Sequence, residues 1–194
     1  MSHLNGINRV GPNAILQSAE ALRALAGQDT VERVFEGAGL LALLEHPPQD
    51  MVPASQAARL HATIARDLPP GLALEIARDA GRRTGDYILA HRIPRPAQWI
   101  LRALPARLSG PMLLRAICHH SWTFAGSADV THHPADPMEL TIHDNPLAVT
   151  GCAWHCAVFE TLFHRLVSPR LVVEHRACCA QSGRICRFVF YRDR

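Results

Sequence analysis

Five of the chain's six cysteines fall between Cys152 and Cys186, and this crowding constrains the C-terminal part of the fold more than any other feature. Two runs of strand composition, Leu171-Val172-Val173 and Cys186 to Tyr191, flank a turn bracketed by Cys178 and Cys186. Cys152 stands near the start of an apolar helix whose inner face is Phe159, Leu162, Phe163 and Leu166. A zinc ion takes four soft or borderline ligands in a tetrahedron, and thiolates with an imidazole supply them without redox chemistry. The candidate set is Cys152, His175, Cys178 and Cys186, in the spacing C-x22-H-x2-C-x7-C. This is not the paired CxxC of a zinc ribbon, so other arrangements stay open. Cys179 or Cys156 can replace a member of the set, and Glu174 can replace His175. The thiols can also pack unliganded as small hydrophobes, or pair as disulfides.

A chain of 194 residues, 48% apolar, suffices for one domain over residues 1–194 with a full core. The net charge of +3 is spread without a dense basic tract, which argues against nucleic acid as a partner. All 20 basic side chains are arginine. Lacking lysine, the chain has neither Schiff-base chemistry nor a P-loop lysine. With no signal segment and no apolar run of membrane-spanning length, the expected compartment is the cytoplasm, where thiols favour metal over disulfide.

Residues 1–120 read as mainly helical. Ile15, Leu16, Ala19, Leu22 and Leu25 predict a helix over Asn13 to Ala26, stopped by Gly27. Asp29 with Glu32 resembles a capping box opening a second helix towards Gly37. A third begins near Pro53-Ala54-Ser55 and carries Ala58, His61 and Ile64. A fourth runs from Leu72 to His91, with Gly81 and Gly85 on one face, so that another helix or a flat ligand can come close to its backbone. Two shorter helices are expected at Trp99 to Leu108 and at Pro111 to His119, with Pro111 as the first residue of the latter. From residue 121 the character changes. Trp122-Thr123-Phe124 and Met138 to Ile142 have strand composition and predict a hairpin with a long loop that includes His132-His133; Asn145-Pro146 opens the helix carrying Cys152. The expected class is α+β: a helical N-terminal half, then an α+β core over 121–194 with an antiparallel sheet, packed helices and a zinc-stapled terminal hairpin.

The dinucleotide, P-loop and nucleophile-elbow motifs are all missing from the sequence. Of the histidine pairs, His119-His120 lies beside Trp122 and Phe124, where an imidazole can face an aromatic cavity.

Gly11-Pro12-Asn13-Ala14-Ile15, Asp86-Tyr87-Ile88-Leu89-Ala90-His91-Arg92-Ile93-Pro94, His120-Ser121-Trp122-Thr123-Phe124-Ala125-Gly126-Ser127 and the cysteine tail together resemble the bacteriochlorophyll 4-vinyl reductase family of purple phototrophic bacteria, over nearly the whole chain. The C-terminal part is also similar to the wider vinyl-reductase sensor domain of phenol-sensing activators, related in fold to small TRAPP vesicle-tethering subunits. The resemblance implies a small-molecule pocket between helices and sheet, a homodimer, and zinc ligands that fall on Cys152, His175, Cys178 and Cys186. His175 stands where the family usually has glutamate. A closed site of this kind is structural, since it leaves no position for substrate. The expected function is therefore to bind a chlorophyllide-type tetrapyrrole precursor and hold or deliver it to bacteriochlorophyll pathway enzymes, in the cytoplasm or peripheral to the photosynthetic membrane. The alternatives are a 4-vinyl reductase using an external reductant and a small-molecule-sensing regulatory module. Gly81, Gly85, His120, Trp122 and Phe124 are the candidate pigment-binding residues, because small residues admit a flat macrocycle and aromatic rings stack on it.

Overall fold

The apolar spacing that predicts the first helix folds as α1 (Asn13–Ala26), ended by Gly27 at φ 81°. The computed structural model describes residues 8–181 and 183–192. In chain order, β1 (Arg9–Val10) precedes α1 and is followed by α2 (Gln28–Gly37), α3 (Ala42–Glu45), β2 (Val52–Pro53), α4 (Ala54–Asp67) and α5 (Pro70–His91). Then come α6 (Arg95–Ala103), α7 (Ala106–His119), α8 (Trp122–Ala125), β3 (Val130–His133), β4 (Met138–His143), α9 (Ala153–Leu166), β5 (Leu171–Ala177) and β6 (Ile185–Arg192). The class is α+β, with the helical half first and the sheet second, as expected.

Local differences from expectation have physical causes. At α2 the cap is Gly27 and no side chain bonds the end; Glu32 instead accepts from Gln28 Nε2 at 2.8 Å, so the capping box does not form. Pro105, not Pro111, opens α7; Pro111 sits inside the helix, and the carbonyl it leaves unbonded belongs to the exposed Arg107. Trp122-Thr123-Phe124 is a helical turn rather than a strand. The Phe124 and Ala125 amides donate to the Ser121 carbonyl, and Gly126 at φ 58° ends the turn. The strand that pairs with β4 is β3, which contains His132 and His133; an exposed edge strand built of polar residues carries a loop-like composition. Asn145-Pro146 forms a turn, with Asn145 Oδ1 accepting from the Leu147 amide at 3.0 Å, and the helix starts only at Ala153.

The main sheet is antiparallel, in the order β3-β4-β6-β5. Strand alternation turns Met138, Leu140, Ile142, Cys186, Phe188, Phe190, Leu171 and Val173 inward, all of them buried. Helix α9 lies on this face, with Phe159 against Phe188 at 5.1 Å and Phe163 against Phe190 at 4.7 Å between ring centroids. Ten of its 14 residues are buried, so it is covered on its far side as well, and α5 is the cover. The two helices meet at the glycines. A Cβ on Gly81 would overlap the Trp154 carbonyl oxygen and stand 2.7 Å from Ala157 Cβ; one on Gly85 would stand 2.6 Å from Thr161 Cβ. The partner that approaches α5 closely is therefore a helix.

Gly81→Ala is expected to lower stability by about 1–3 kcal/mol through overpacking, a fall in melting temperature of about 2–12 °C for a domain of this size. Gly71→Ala, in the same helix with open space around it, should leave the melting temperature unchanged or raise it slightly. Thermal unfolding of the two variants side by side checks the contrast.

Candidate metal centre

Three segments bring the sulfurs together. Cys152 is the N-cap of α9 and has left-handed backbone angles, φ 42° and ψ 41°, directly after Gly151 at φ 83°. A non-glycine residue there costs about 1–2 kcal/mol, so something must hold it. Its amide donates to the Val149 carbonyl at 2.8 Å, and its own carbonyl accepts from the Cys156 amide at 3.1 Å. The thiol thus lies at the start of the helix, facing the β5–β6 hairpin. Cys178 directly follows β5, and Cys186 lies near the start of β6, paired with Ile142 across the ladder. His175 belongs to β5 and shares the inward parity of Leu171 and Val173. Glu174 has the opposite parity, and its carboxylate pairs with Arg176 at 2.6 Å. Strand alternation therefore selects His175 over Glu174.

The four ligand atoms lie within 4.8 Å of one another and could hold a metal ion. Cys152 Sγ is 3.6 Å from Cys186 Sγ and 3.9 Å from Cys178 Sγ. A tetrahedron with metal–sulfur bonds of about 2.3 Å has edges of about 3.8 Å. Disulfide bonds need about 2.05 Å, and all six cysteines are free. The His175 ring stacks on Phe188 at 4.9 Å, leaving Nε2 buried without a hydrogen-bond partner. One imidazole nitrogen with three clustered sulfurs is a donor set that fits a divalent cation. Cys179 adjoins the set, its Sγ 3.4 Å from Cys186 Sγ and its amide donating to the same sulfur at 3.4 Å, while Cys156 and Cys118 lie outside the cluster.

Protonation follows from the crowding. The proton shared between Cys152 and Cys186 stays on Cys152, whose thiol is pushed far up by that hydrogen bond and by burial. Cys186 is held well below the usual thiol range by the same bond, with His175 and the Cys179 amide assisting against burial. A divalent cation would replace that proton and allow all three sulfurs to ionise. By contrast, burial pushes Cys156 up to about 12 and Cys118 up to about 11, so both are inert thiols.

The five candidate pigment-binding residues do not converge on one cavity. Gly81 and Gly85 lie under α9, whereas His120 and Trp122 are exposed. Phe124 is buried, its ring 5.6 Å from Phe159 and 6.2 Å from His155. A cleft of about 230 Å³ lies instead between α1, α4, α5 and the start of α9, lined among others by Ser18, His61, Ala77, Val149, Thr150 and Trp154. His61 Nε2 stands 3.0 Å from the Ala14 carbonyl and 3.4 Å from Ser18 Oγ, with its ring 5.6 Å from Trp154. Trp154 Nε1 and His155 Nε2 are buried without partners. Sequence reading placed His61 on its helix without a role and passed over Trp154 and His155. Their signal is polar atoms on the otherwise apolar inner faces of α4 and α9.

No protein-family model matches the chain. It is 44% identical over 188 residues to the bacteriochlorophyll synthase 23 kDa chain of Cereibacter sphaeroides, covering 93% of this chain and 89% of that one. The protein of the same description in Rhodobacter capsulatus is 41% identical over 191 residues, covering 94% and 87%. The chain belongs to the bacteriochlorophyll synthase 23 kDa chain family. That membership bears out the family resemblance drawn from the sequence. Solved structures similar to this fold include H-NOX proteins. One studied for heme distortion has a TM-score of 0.58 at 13% identity, covering 95% of this chain and 96% of that chain. Another, from S. oneidensis, has a TM-score of 0.54 at 10% identity, covering 95% and 100%. At that identity the likeness concerns fold alone. Among the described residues, no helix is long and apolar enough to cross a membrane.

Cys186→Ser should release the metal from protein purified without chelators, whereas Cys156→Ser should retain it; elemental analysis of both decides the ligand set. A second expectation concerns acid. Burial lowers the pKa of His155 from 6.5 to about 3 and also lowers that of His61. Below pH 6.5 the unfolded chain takes up protons that the folded chain refuses. The His155 contribution is present in full above pH 6.5 and is lost as pH falls towards 3, at up to about 1.4 kcal/mol per unit; His61 adds a loss of the same sign. His155→Phe should flatten the fall of melting temperature between pH 6.5 and 4.5 relative to wild type; equal slopes would contradict the assignment.

Proposed function

We propose that this protein binds a chlorophyllide-type tetrapyrrole precursor of bacteriochlorophyll and holds or delivers it to the enzymes of that pathway, with zinc at Cys152, His175, Cys178 and Cys186 as a structural ion. The observation that carries the reading is 44% identity over 93% of the chain to a relative named for bacteriochlorophyll synthase. Four protein ligands would close the coordination sphere, so the ion would fix backbone and leave no position for substrate. The loop it would fix is also a wall of the cleft. Val149 lines the cleft, and its carbonyl accepts from the amide of the ligand Cys152. Thr150, Ala153 and Trp154 continue that wall.

At about 230 Å³ the cleft is smaller than the roughly 300–1,000 Å³ of pockets that engulf a ligand. It takes one edge of a macrocycle and leaves the rest outside, which suits holding and passing on better than sequestration. Trp154 offers the ring face and His61 the polar contact, while Phe124, with Trp122 and His120 at the adjoining surface, forms a second region of contact. Gly81 and Gly85 act indirectly, by letting α9 and its Trp154 lie against α5. The protein works on the cytoplasmic side as a homodimer, as the wider family resemblance supports. A second reading, favoured by the resemblance to 4-vinyl reductases, is reduction of the 4-vinyl group of a bound divinyl (proto)chlorophyllide with hydride from an external donor and a proton from solvent.

Titrating divinyl chlorophyllide into the metal-loaded protein should give a saturable absorption shift, weakened about tenfold or more by Trp154→Ala through lost stacking and burial. Removing the metal with a chelator should weaken it too. Added reduced nicotinamide cofactor should leave the pigment unreduced; turnover would establish the reductase reading. An unchanged spectrum at every pigment concentration would overturn both.

A further inference from the structure

The segment from residue 87 to residue 128 contains five of the chain's 20 arginines, Arg92, Arg95, Arg102, Arg107 and Arg115, and none of its 17 acidic residues. The same segment carries five of the eight large apolar side chains that the described residues leave exposed. Trp99, at 67% exposure, and Ile100 lie on α6; Leu108 and Met112 lie four apart on α7; Trp122, at 49%, follows on α8. Helices α6 and α7 are joined by Leu104-Pro105 alone, and both pack on α9. Gln98 and Leu101 on α6, and Leu113, Leu114 and Ile117 on α7, form the buried sides, so the exposed rows face away from the core.

Among the described residues, the arginines in this segment have no acidic partners. Elsewhere arginines pair with carboxylates, but among the described residues none of these five does. Arg102 bonds the Arg165 carbonyl and Gln98 Oε1, and Arg92 lies 6.0 Å from the Tyr87 ring centroid. A cationic rim interleaved with Trp, Ile, Leu and Met matches one surface above others. Guanidinium groups pair with phosphate oxygens, tryptophan settles at the headgroup level, and short amphipathic helices lie in the plane of the interface. A second copy of the chain fits badly, because a two-fold contact through this face would set arginines against arginines with no acid between them.

We propose that the α6–α7 face docks this protein on an anionic lipid surface. Docking is a property of the exterior and holds whatever ligand occupies the cleft.

The test uses the full chain with its metal in a flotation assay, with vesicles of phosphatidylcholine alone and of phosphatidylcholine mixed with phosphatidylglycerol. The protein should float with the mixed vesicles only, and added salt should release it. Arg107→Gln combined with Arg115→Gln should weaken binding by about tenfold or more. Trp99→Ser with Met112→Ser should abolish it while the melting temperature stays that of wild type. Should that pair unfold, fluorescence keeps the question open to decision: wild-type emission should shift to the blue on anionic vesicles, and Trp99→Phe, still bound, should lose most of the shift. Failure to float, equal flotation with both vesicle types, an undiminished arginine double variant, or a shift unaltered by Trp99→Phe would each overturn the proposal. So would a dimer in solution that Met112→Asp dissociates, which would assign the face to a second copy.

Discussion

Helix α9 is enclosed by the sheet on one side and α5 on the other, and the structure depends on how the start of such a helix is fixed. With ten of its 14 residues buried, such a helix keeps only a narrow polar stripe, Glu160, Thr161, His164 and Arg165, to fix its register against water. Its position is set further at Cys152, where the backbone is forced into the left-handed region and the side chain meets Cys178 and Cys186 from the β5–β6 turn. Cys152 Sγ, 3.6 Å from Cys186 Sγ and 3.9 Å from Cys178 Sγ, would be repelled by them as a thiolate, and it keeps its proton when no cation is present. The cluster therefore couples backbone strain, charge and long-range closure at a single point.

The closure reaches beyond the cluster through Val149. Its carbonyl serves the amide of Cys152, and its side of the loop borders the cleft next to Thr150. On the opposite wall, His61 is anchored to the Ala14 carbonyl, so α1 and α4 face the loop across the cleft. Between them Trp154 is held by the close α5–α9 approach that Gly81 permits. Cleft shape, helix packing and sulfur geometry are thus one mechanical system, although the residues responsible are spread from α1 to β6.

Much of this is legible in the chain itself, wherever a single local rule decides. The first helix follows from its apolar spacing and Gly27, and the ligand set from the concentration of cysteines around two strand-like runs. His175 and Glu174 could not be separated until strand parity was known, because adjacent residues in a strand differ only in which face they take. Trp122-Thr123-Phe124 has aromatic and β-branched composition, yet Ser121 and Gly126 wind it into a turn, so tertiary context overrode propensity. His132 and His133 look like loop residues because β3 is an exposed edge. Trp154, His155 and His61 were hidden for the opposite reason: their significance lies in what surrounds them, and no spacing rule reports an unpaired buried nitrogen.

Strand β6 follows both of its neighbours in the chain, yet sits between β4 and β5 in the sheet. During translation, β4 leaves the ribosome with one edge bare and stays so until β5, the turn and β6 have all emerged, because β6 alone pairs with that edge. Most of the helical half has no such wait, since its packing partners, α9 and the β3–β4 hairpin excepted, are already made. Newborn chains thus pass through a stage in which helices are formed while a hydrophobic strand edge, with its row of open amides and carbonyls, is still exposed to whatever chaperones or other chains are near.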